Sequence, residues 1–107
     1  MKIRISDQTL RMRLTKDEAL SLQRGAHVVT SLQLNFIDVF EIELHSWNLS
    51  IGEVHFEKNK LKASIPHSAA KQLSHENGYV YRCEQQASQA SALILEVEID
   101  LQKVKQA

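Results

Sequence analysis

Lys2-Ile3-Arg4-Ile5-Ser6-Asp7-Gln8-Thr9-Leu10-Arg11-Met12-Arg13-Leu14-Thr15-Lys16-Asp17-Glu18 holds two strands, the turn between them and the start of a helix. Ile3 and Ile5 alternate with Lys2 and Arg4, the period-2 pattern of a half-buried strand. Asp7-Gln8-Thr9 supplies turn residues, after which Leu10, Met12 and Leu14 alternate with Arg11 and Arg13. A hairpin joining these runs places the five apolar side chains on one face and Lys2, Arg4, Arg11 and Arg13 on the other. The period then changes. Thr15 and Glu18 have the spacing of a capping box, Asp17 and Glu18 suit the positive end of a helix dipole, and Gly25 supplies a left-handed stop.

Downstream, 27–34 and 36–45 read as two further strands. In the second, Phe40, Ile42 and Leu44 face one way and Glu41, Glu43 and His45 the other. Asn48 to Gly52 is a connection. Val54 and Phe56 alternate within 53–57, Lys58-Asn59-Lys60 turns the chain, and 61–65 continues as a strand. Pro66 suits the first position of a second helix, which Asn77-Gly78 ends. A strand over 79–84, a polar stretch over 85–91 and a strand over 93–100 follow, with a frayed tail expected from Leu101 to Ala107.

The order strand, strand, helix, strand, strand thus occurs twice. Ile3, Leu10, Leu14, Ala19 and Leu22 match Val54, Leu61, Ile65, Ala70 and Leu73 at one spacing, and Gly25 matches Gly78 after a slip of two residues. Glu41-Ile42-Glu43 is then matched to Glu96-Val97-Glu98. The expected fold class is α+β: a mainly antiparallel sheet or small barrel of about eight strands, two short helices and two pseudo-repeated ββαββ units. Its 107 residues suit a single domain, with halves at 1–47 and 53–101.

Ile3-Arg4-Ile5, followed by Leu10-Arg11-Met12-Arg13-Leu14-Thr15 and Glu18, resembles the start of a family of small uncharacterised bacterial proteins. Those proteins begin Met-Lys-Ile-Arg-Ile and continue to an Arg-x-Arg-Leu strand and a helix. The passage from Phe56 through Leu61 to Pro66 is similar to that family's strand–turn–strand–Pro segment. Where members carry a Glu-Lys-Asp-Phe-like run, this chain has Glu96-Val97-Glu98-Ile99-Asp100. The resemblance implies a bacterial source and one compact domain of unknown function; it implies no activity.

Thirteen basic and thirteen acidic residues give a formal net charge of zero, which argues against a generally cationic nucleic-acid binder. No apolar run approaches the length of a signal peptide core or a membrane span, so a cytoplasmic location and no membrane partner are expected. Cys83 is the sole cysteine, which excludes an intrachain disulfide, and its strand setting reads as a small buried hydrophobe. Nucleophile-elbow, phosphate-loop, dinucleotide and His-Glu-x-x-His motifs are all absent, so the reading leans against an enzyme and implies no cofactor.

Chemistry therefore rests on the charged faces. Arg4 opposite Arg11 and Lys2 opposite Arg13 place like charges together, and Glu41, Glu43, Glu96, Glu98 and Asp100 are expected to relieve them in one cross-strand lattice. That arrangement belongs to a binding or protein-interaction module, with a homodimer or another protein as partner. The alternative places Lys2, Arg4, Arg11 and Arg13 around a phosphate or polyphosphate, with Glu-x-Glu strands holding a divalent cation for a small phosphohydrolase. His45 and His55, facing each other across an assumed hairpin and flanked by Glu43 and Glu57, form a second candidate metal site. Trp47, near a strand end on the polar face, is a candidate exposed anchor.

Overall fold

The computed structural model describes residues 1–100, so the tail expected from Leu101 lies outside the described residues. Eight strands and two helices follow the expected order: β1 Lys2–Ser6, β2 Thr9–Leu14, α1 Lys16–Gln23, β3 Val28–Gln33, β4 Val39–Trp47, β5 Glu53–Glu57, β6 Lys60–Pro66, α2 His67–His75, β7 Val80–Gln86 and β8 Ala92–Ile99. Among these residues no helix is long and apolar enough to cross a membrane.

The strands form two four-stranded sheets, β1-β2-β8-β7 and β3-β4-β6-β5, and not a closed barrel. Hairpins β1–β2, β3–β4, β5–β6 and β7–β8 are antiparallel, as their short connections require. The central pairs β2–β8 and β4–β6 are parallel, so both sheets are mixed. Each ββαββ unit gives its first hairpin to one sheet and its second to the other, with the helix as the crossover.

Registers of the two units correspond residue by residue. Ile3 faces Met12 as Val54 faces Ala63, and Val28 faces Leu44 as Tyr81 faces Val97. Across the parallel seams Leu10 faces Leu95 as Leu61 faces Ile42. The two-residue slip at the glycines therefore persists to the end. Glu43 corresponds to Glu96, not Glu98, and the sequence match of Glu41-Ile42-Glu43 to Glu96-Val97-Glu98 is displaced by two positions.

Local chemistry explains three of the four helix boundaries. Thr15 Oγ1 accepts from the Glu18 N–H at 3.1 Å, and Glu18 Oε1 accepts from the Thr15 N–H at 2.9 Å, completing the capping box. Gly25, at φ 93°, closes α1 in a Schellman motif: its N–H donates to the Leu22 carbonyl and that of Ala26 to the Ser21 carbonyl. Pro66 caps α2 from outside, one residue before its expected helical position, because it also ends β6. The β3–β4 boundary moves most. Phe36 and Ile37, read as strand, form the hairpin tip instead.

One core serves both sheets. Met12, Leu14, Leu95 and Val97 from the first sheet, Leu44, Ala63 and Ile65 from the second, and Leu22, Ala69 and Leu73 from the helices are all buried. Alanines at Ala19, Ala69 and Ala70 let α1 and α2 approach each other closely above this core. At the β5–β7 margin side chains replace a backbone ladder. Val54 N–H donates to Gln85 Oε1 at 2.8 Å, Gln85 Nε2 donates to the Val54 carbonyl at 3.0 Å, and the Gly52 N–H donates to the Tyr81 hydroxyl at 2.7 Å.

Gly52 sits where no side chain fits: a Cβ there would lie 2.9 Å from the Ser64 carbonyl oxygen and 3.0 Å from the Tyr81 ring. Gly52→Ala is expected to cost about 1–3 kcal/mol through forced backbone shifts. Tyr81→Phe leaves the Gly52 N–H without its partner and costs about 1–3 kcal/mol. Urea unfolding of both single variants and the double variant checks this, and the two losses should not add because they act on one contact.

Candidate functional site

The outer face of the first sheet carries the expected basic residues, and register decides their partners. Arg11 and Arg13 on β2 face Glu96 and Glu98 on β8, and Arg82 on β7 faces Glu96 from the other side. Arg11 Nη2 lies 2.9 Å from Glu96 Oε1 and its Nε 3.6 Å from Glu98 Oε1. Arg13 Nε is 3.8 Å from Glu98 Oε2, beyond hydrogen-bond range, and Arg82 Nε 3.7 Å from Glu96 Oε2. Lys2 Nζ lies 2.7 Å from Asp100 Oδ2 and holds that carboxyl below its ordinary range. Arg4, beside Arg11 in the register, makes no ion pair among the described residues. Three of the four basic residues are thus paired with carboxylates, and open depressions on this face are bordered by Arg4 and Arg11 and by Lys2, Arg4 and Arg13.

Glu41 and Glu43 belong to the other sheet, so the single lattice expected from sequence is two lattices. Glu43 is buried at 6 % exposure and is the hub of the second. Its carboxylate lies 2.8 Å from His27 Nδ1, 3.4 Å from Lys60 Nζ and 3.6 Å from Lys62 Nζ. Burial opposes its charge, but the hydrogen bond and charge of Lys60 and the neighbouring His27 outweigh that and lower the pKa. Glu41 reaches only Lys60, at 3.8 Å.

The expected hairpin between His45 and His55 does not form. β4 pairs with β6 and not with β5, so His45 faces Ser64 while His55 faces Lys62 in the neighbouring row. His45 Nε2 lies 2.6 Å from Ser64 Oγ, and His55 Nε2 lies 3.3 Å from Glu53 Oε2. Glu96 and Glu98 are on the opposite sheet from these histidines. The proposed ligands are therefore dispersed, and the described residues contain no group of three or more His, Cys, Asp or Glu side chains placed to hold a metal ion.

Correspondence between the units shows what is special about the second outer face. Where the first sheet pairs Arg13 with Glu98, the second pairs Ser64 with His45; where Asp100 follows β8, Trp47 ends β4. These shorter and aromatic side chains open a shallow groove of about 390 Å3 bounded by His27, His45, Trp47, His55, Lys62 and Ser64. Trp47 is 60 % exposed at its end, as its strand-end position suggested, and the His27 and His45 rings stand 4.9 Å apart. Burial, followed by the charges of Lys62 and His27, lowers the His45 pKa, so its imidazole is neutral at neutral pH. His27, Lys60 and Ser64 escaped the sequence reading because only the parallel seam and the β3–β4 register bring them to Glu43 and His45. Cys83 is half-buried, and burial pushes its thiol up, which disfavours a reactive thiolate.

A second surface feature lies at the hairpin tips. In the β3–β4 tip the Leu34 N–H donates to the Asp38 carbonyl, and Asn35 Oδ1 accepts from the N–H groups of Ile37 and Asp38, both at 2.9 Å. In the β7–β8 tip the Ala87 N–H donates to the Ser91 carbonyl, and Ser88 Oγ accepts from those of Ala90 and Ser91 at 3.2 and 3.1 Å. Even the preceding glutamines correspond, Gln33 donating to the Asn35 carbonyl and Gln86 to that of Ser88. Two loops of one construction thus differ in what they display. Phe36 is 105 % and Ile37 88 % exposed, with Leu34 also in solvent, where the other tip has Gln89, Ala90 and Ala87.

Residues 1–107 match the family of unknown function DUF7009, and the chain belongs to that family. No curated protein and no solved structure matches it.

The lowered His45 pKa has a consequence for stability. As pH falls below about 6.5 the unfolded chain takes up the proton before the folded one does. Stability from this group is therefore full above that pH and declines as pH falls towards the folded-state value. Urea unfolding at pH 7.5 and 5.5 should show a loss in the wild type that is smaller in His45→Gln; equal losses in both proteins would exclude His45 as the source.

Proposed function

We propose that this member of DUF7009 is a protein-interaction module and not an enzyme, and that its contact element is the β3–β4 hairpin. The observation that carries the reading is the contrast between the two tips. A fold that builds the same loop with Gln89-Ala90 has no structural need for Phe36-Ile37, so the exposed apolar pair is explained by contact with something else. Large apolar side chains on a rigid, hydrogen-bonded turn lose little conformational freedom on binding, which is the character of interface anchors.

The surroundings point to a protein surface. Asn35 and Asp38 flank the apolar pair, and basic residues that would favour an anionic lipid surface are missing from the tip. The ion pairs of Lys2, Arg11 and Arg13 count against the phosphate-binding alternative, whose cations would have to be released from Asp100, Glu96 and Glu98 first. The location inside the cell expected from the sequence remains part of this proposal.

A photo-reactive phenylalanine analogue placed at position 36, with the same analogue at position 89 as its structural counterpart, tests the reading in cells. A discrete protein adduct from position 36 and none from 89 is the expected result. Absence of an adduct at 36, or identical patterns from both positions, would overturn it. Phe36→Ser with Ile37→Ser should leave the melting temperature within about 2 °C, since surface changes of this kind fall within about 0.5 kcal/mol.

A further inference from the structure

The two sheets have four edge strands, β1, β7, β3 and β5. Three carry charges that discourage pairing with another chain: Lys2 and Arg4 on β1, Glu53 and Glu57 on β5, Arg82 and Glu84 on β7. β3 reads Val28-Val29-Thr30-Ser31-Leu32-Gln33 and carries none. Its counterpart β7 has Arg82 where β3 has Val29 and Glu84 where β3 has Ser31. The same fold position is thus guarded in one unit and unguarded in the other.

The unguarded edge is also accessible. Val29 is 46 % and Leu32 58 % exposed, and Ser31 and Gln33 are exposed with them. At the β5–β7 margin Gln85 uses its amide to cover the Val54 backbone; its counterpart on β3 is Leu32, which has no polar group to do so. Thr30 Oγ1 donates to the Met1 carbonyl at 3.2 Å, and beyond that contact β3 runs outward to the apolar tip. The only edge strand without a charge is therefore continuous with the only apolar tip among the described hairpins.

From this continuity we infer that β3 pairs antiparallel with β3 of a second copy of the chain, extending the β3-β4-β6-β5 sheet across a two-fold axis. An uncharged edge of alternating Val, Thr, Ser and Leu is complementary to itself, and antiparallel pairing of identical strands has the symmetry of a closed dimer. The formal net charge of zero removes long-range repulsion between copies. Six residues of strand pairing alone bury less than the roughly 1,200 Å2 of a stable interface. The tips supply the remainder: in an antiparallel pair each tip projects past the axis and lies along the body of the other copy, covering Phe36 and Ile37. The inference rests on the proposed role of the hairpin and names its partner.

Analytical ultracentrifugation of the full chain, up to about 100 µM, tests it. The wild type is expected to sediment as a dimer. Val29→Arg with Ser31→Glu, which installs the β7 residues at the corresponding β3 positions, should weaken association at least tenfold and leave the circular dichroism spectrum unchanged. Hydrogen exchange covers the case in which that variant misfolds: amides of residues 28–33 in the wild type should be protected at high concentration and lose protection on dilution. A wild type that stays monomeric, or a dimer that persists in the folded variant with concentration-independent exchange in β3, overturns the inference. If the chain is monomeric and position 36 still cross-links to a different protein, only the identity of the partner has failed; if position 36 cross-links to nothing, the reading of the hairpin has failed as well.

Discussion

The parallel seams β2–β8 and β4–β6 are the constraint on which the rest of the molecule depends. Neither sheet is made by one ββαββ unit; each is two hairpins, one from each unit, joined along a central parallel pair. Parallel neighbours need a crossover: β4 reaches β6 by way of β5 within one sheet, whereas β2 meets β8 only after α1 has carried the chain to the second sheet and α2 has brought it back. The core lies where these helices pass, so Leu22 and Leu73 from the helices pack with Leu14 and Ile65 from the strands that precede them. The seams also set the electrostatics. Arg11 meets Glu96 and Lys62 meets Glu43 only because the central strands are in this register.

Sequence made the elements and the first hairpin legible and left the partners across the sheets hidden. Period-2 alternation placed β1, β2 and β5, and the capping box and Gly25 bounded α1, because all of these signals act within a few residues of chain. The repeat was visible because core positions such as Leu14 and Ile65 keep their size in both units. Pairing was visible in the β1–β2 hairpin, where the turn sets Arg4 opposite Arg11 and Lys2 opposite Arg13, and not across the parallel seams. Strands β4 and β5 are neighbours in sequence and have a connection long enough for a hairpin, yet β6 lies between them, so His45 and His55 do not face each other as the chain order suggests. The displacement of Glu43 against Glu98 has a similar origin: two Glu-x-Glu segments aligned by composition, while the backbone register follows the slip at the glycines. Phe36 and Ile37 resemble strand residues because apolar residues next to Phe40 and Ile42 continue an alternating pattern. The local signal against that was Asn35 and Asp38 on either side, a pair suited to a side-chain-stabilised turn.

Duplicated architecture provides an internal control that a single sheet would lack. Strand positions in one unit have counterparts in the other that meet the same pairing register, so a difference between those counterparts isolates what the fold does not require. Applied to the outer faces, it separates the Arg13–Glu98 pair from the Ser64–His45 hydrogen bond. Applied to the tips and edges, it separates Gln89-Ala90 from Phe36-Ile37 and Arg82 from Val29. In the core Leu14 and Ile65, Leu22 and Leu73, and Leu44 and Val97 keep their bulk and are all buried, while Met12 has the much smaller Ala63 as its buried counterpart. The differences in charge and polarity lie where side chains face outward.

The seam between β2 and β8 also carries a kinetic cost during synthesis. The strand that completes the first sheet's centre is the last of the eight to leave the ribosome, and Leu10 waits for Leu95. At about 5–20 residues per second that interval is several seconds, far longer than the microseconds a hairpin needs to close. An isolated two-stranded hairpin is at best marginally stable in water, so β1 and β2 gain their sheet only after every strand of the second sheet has been synthesised.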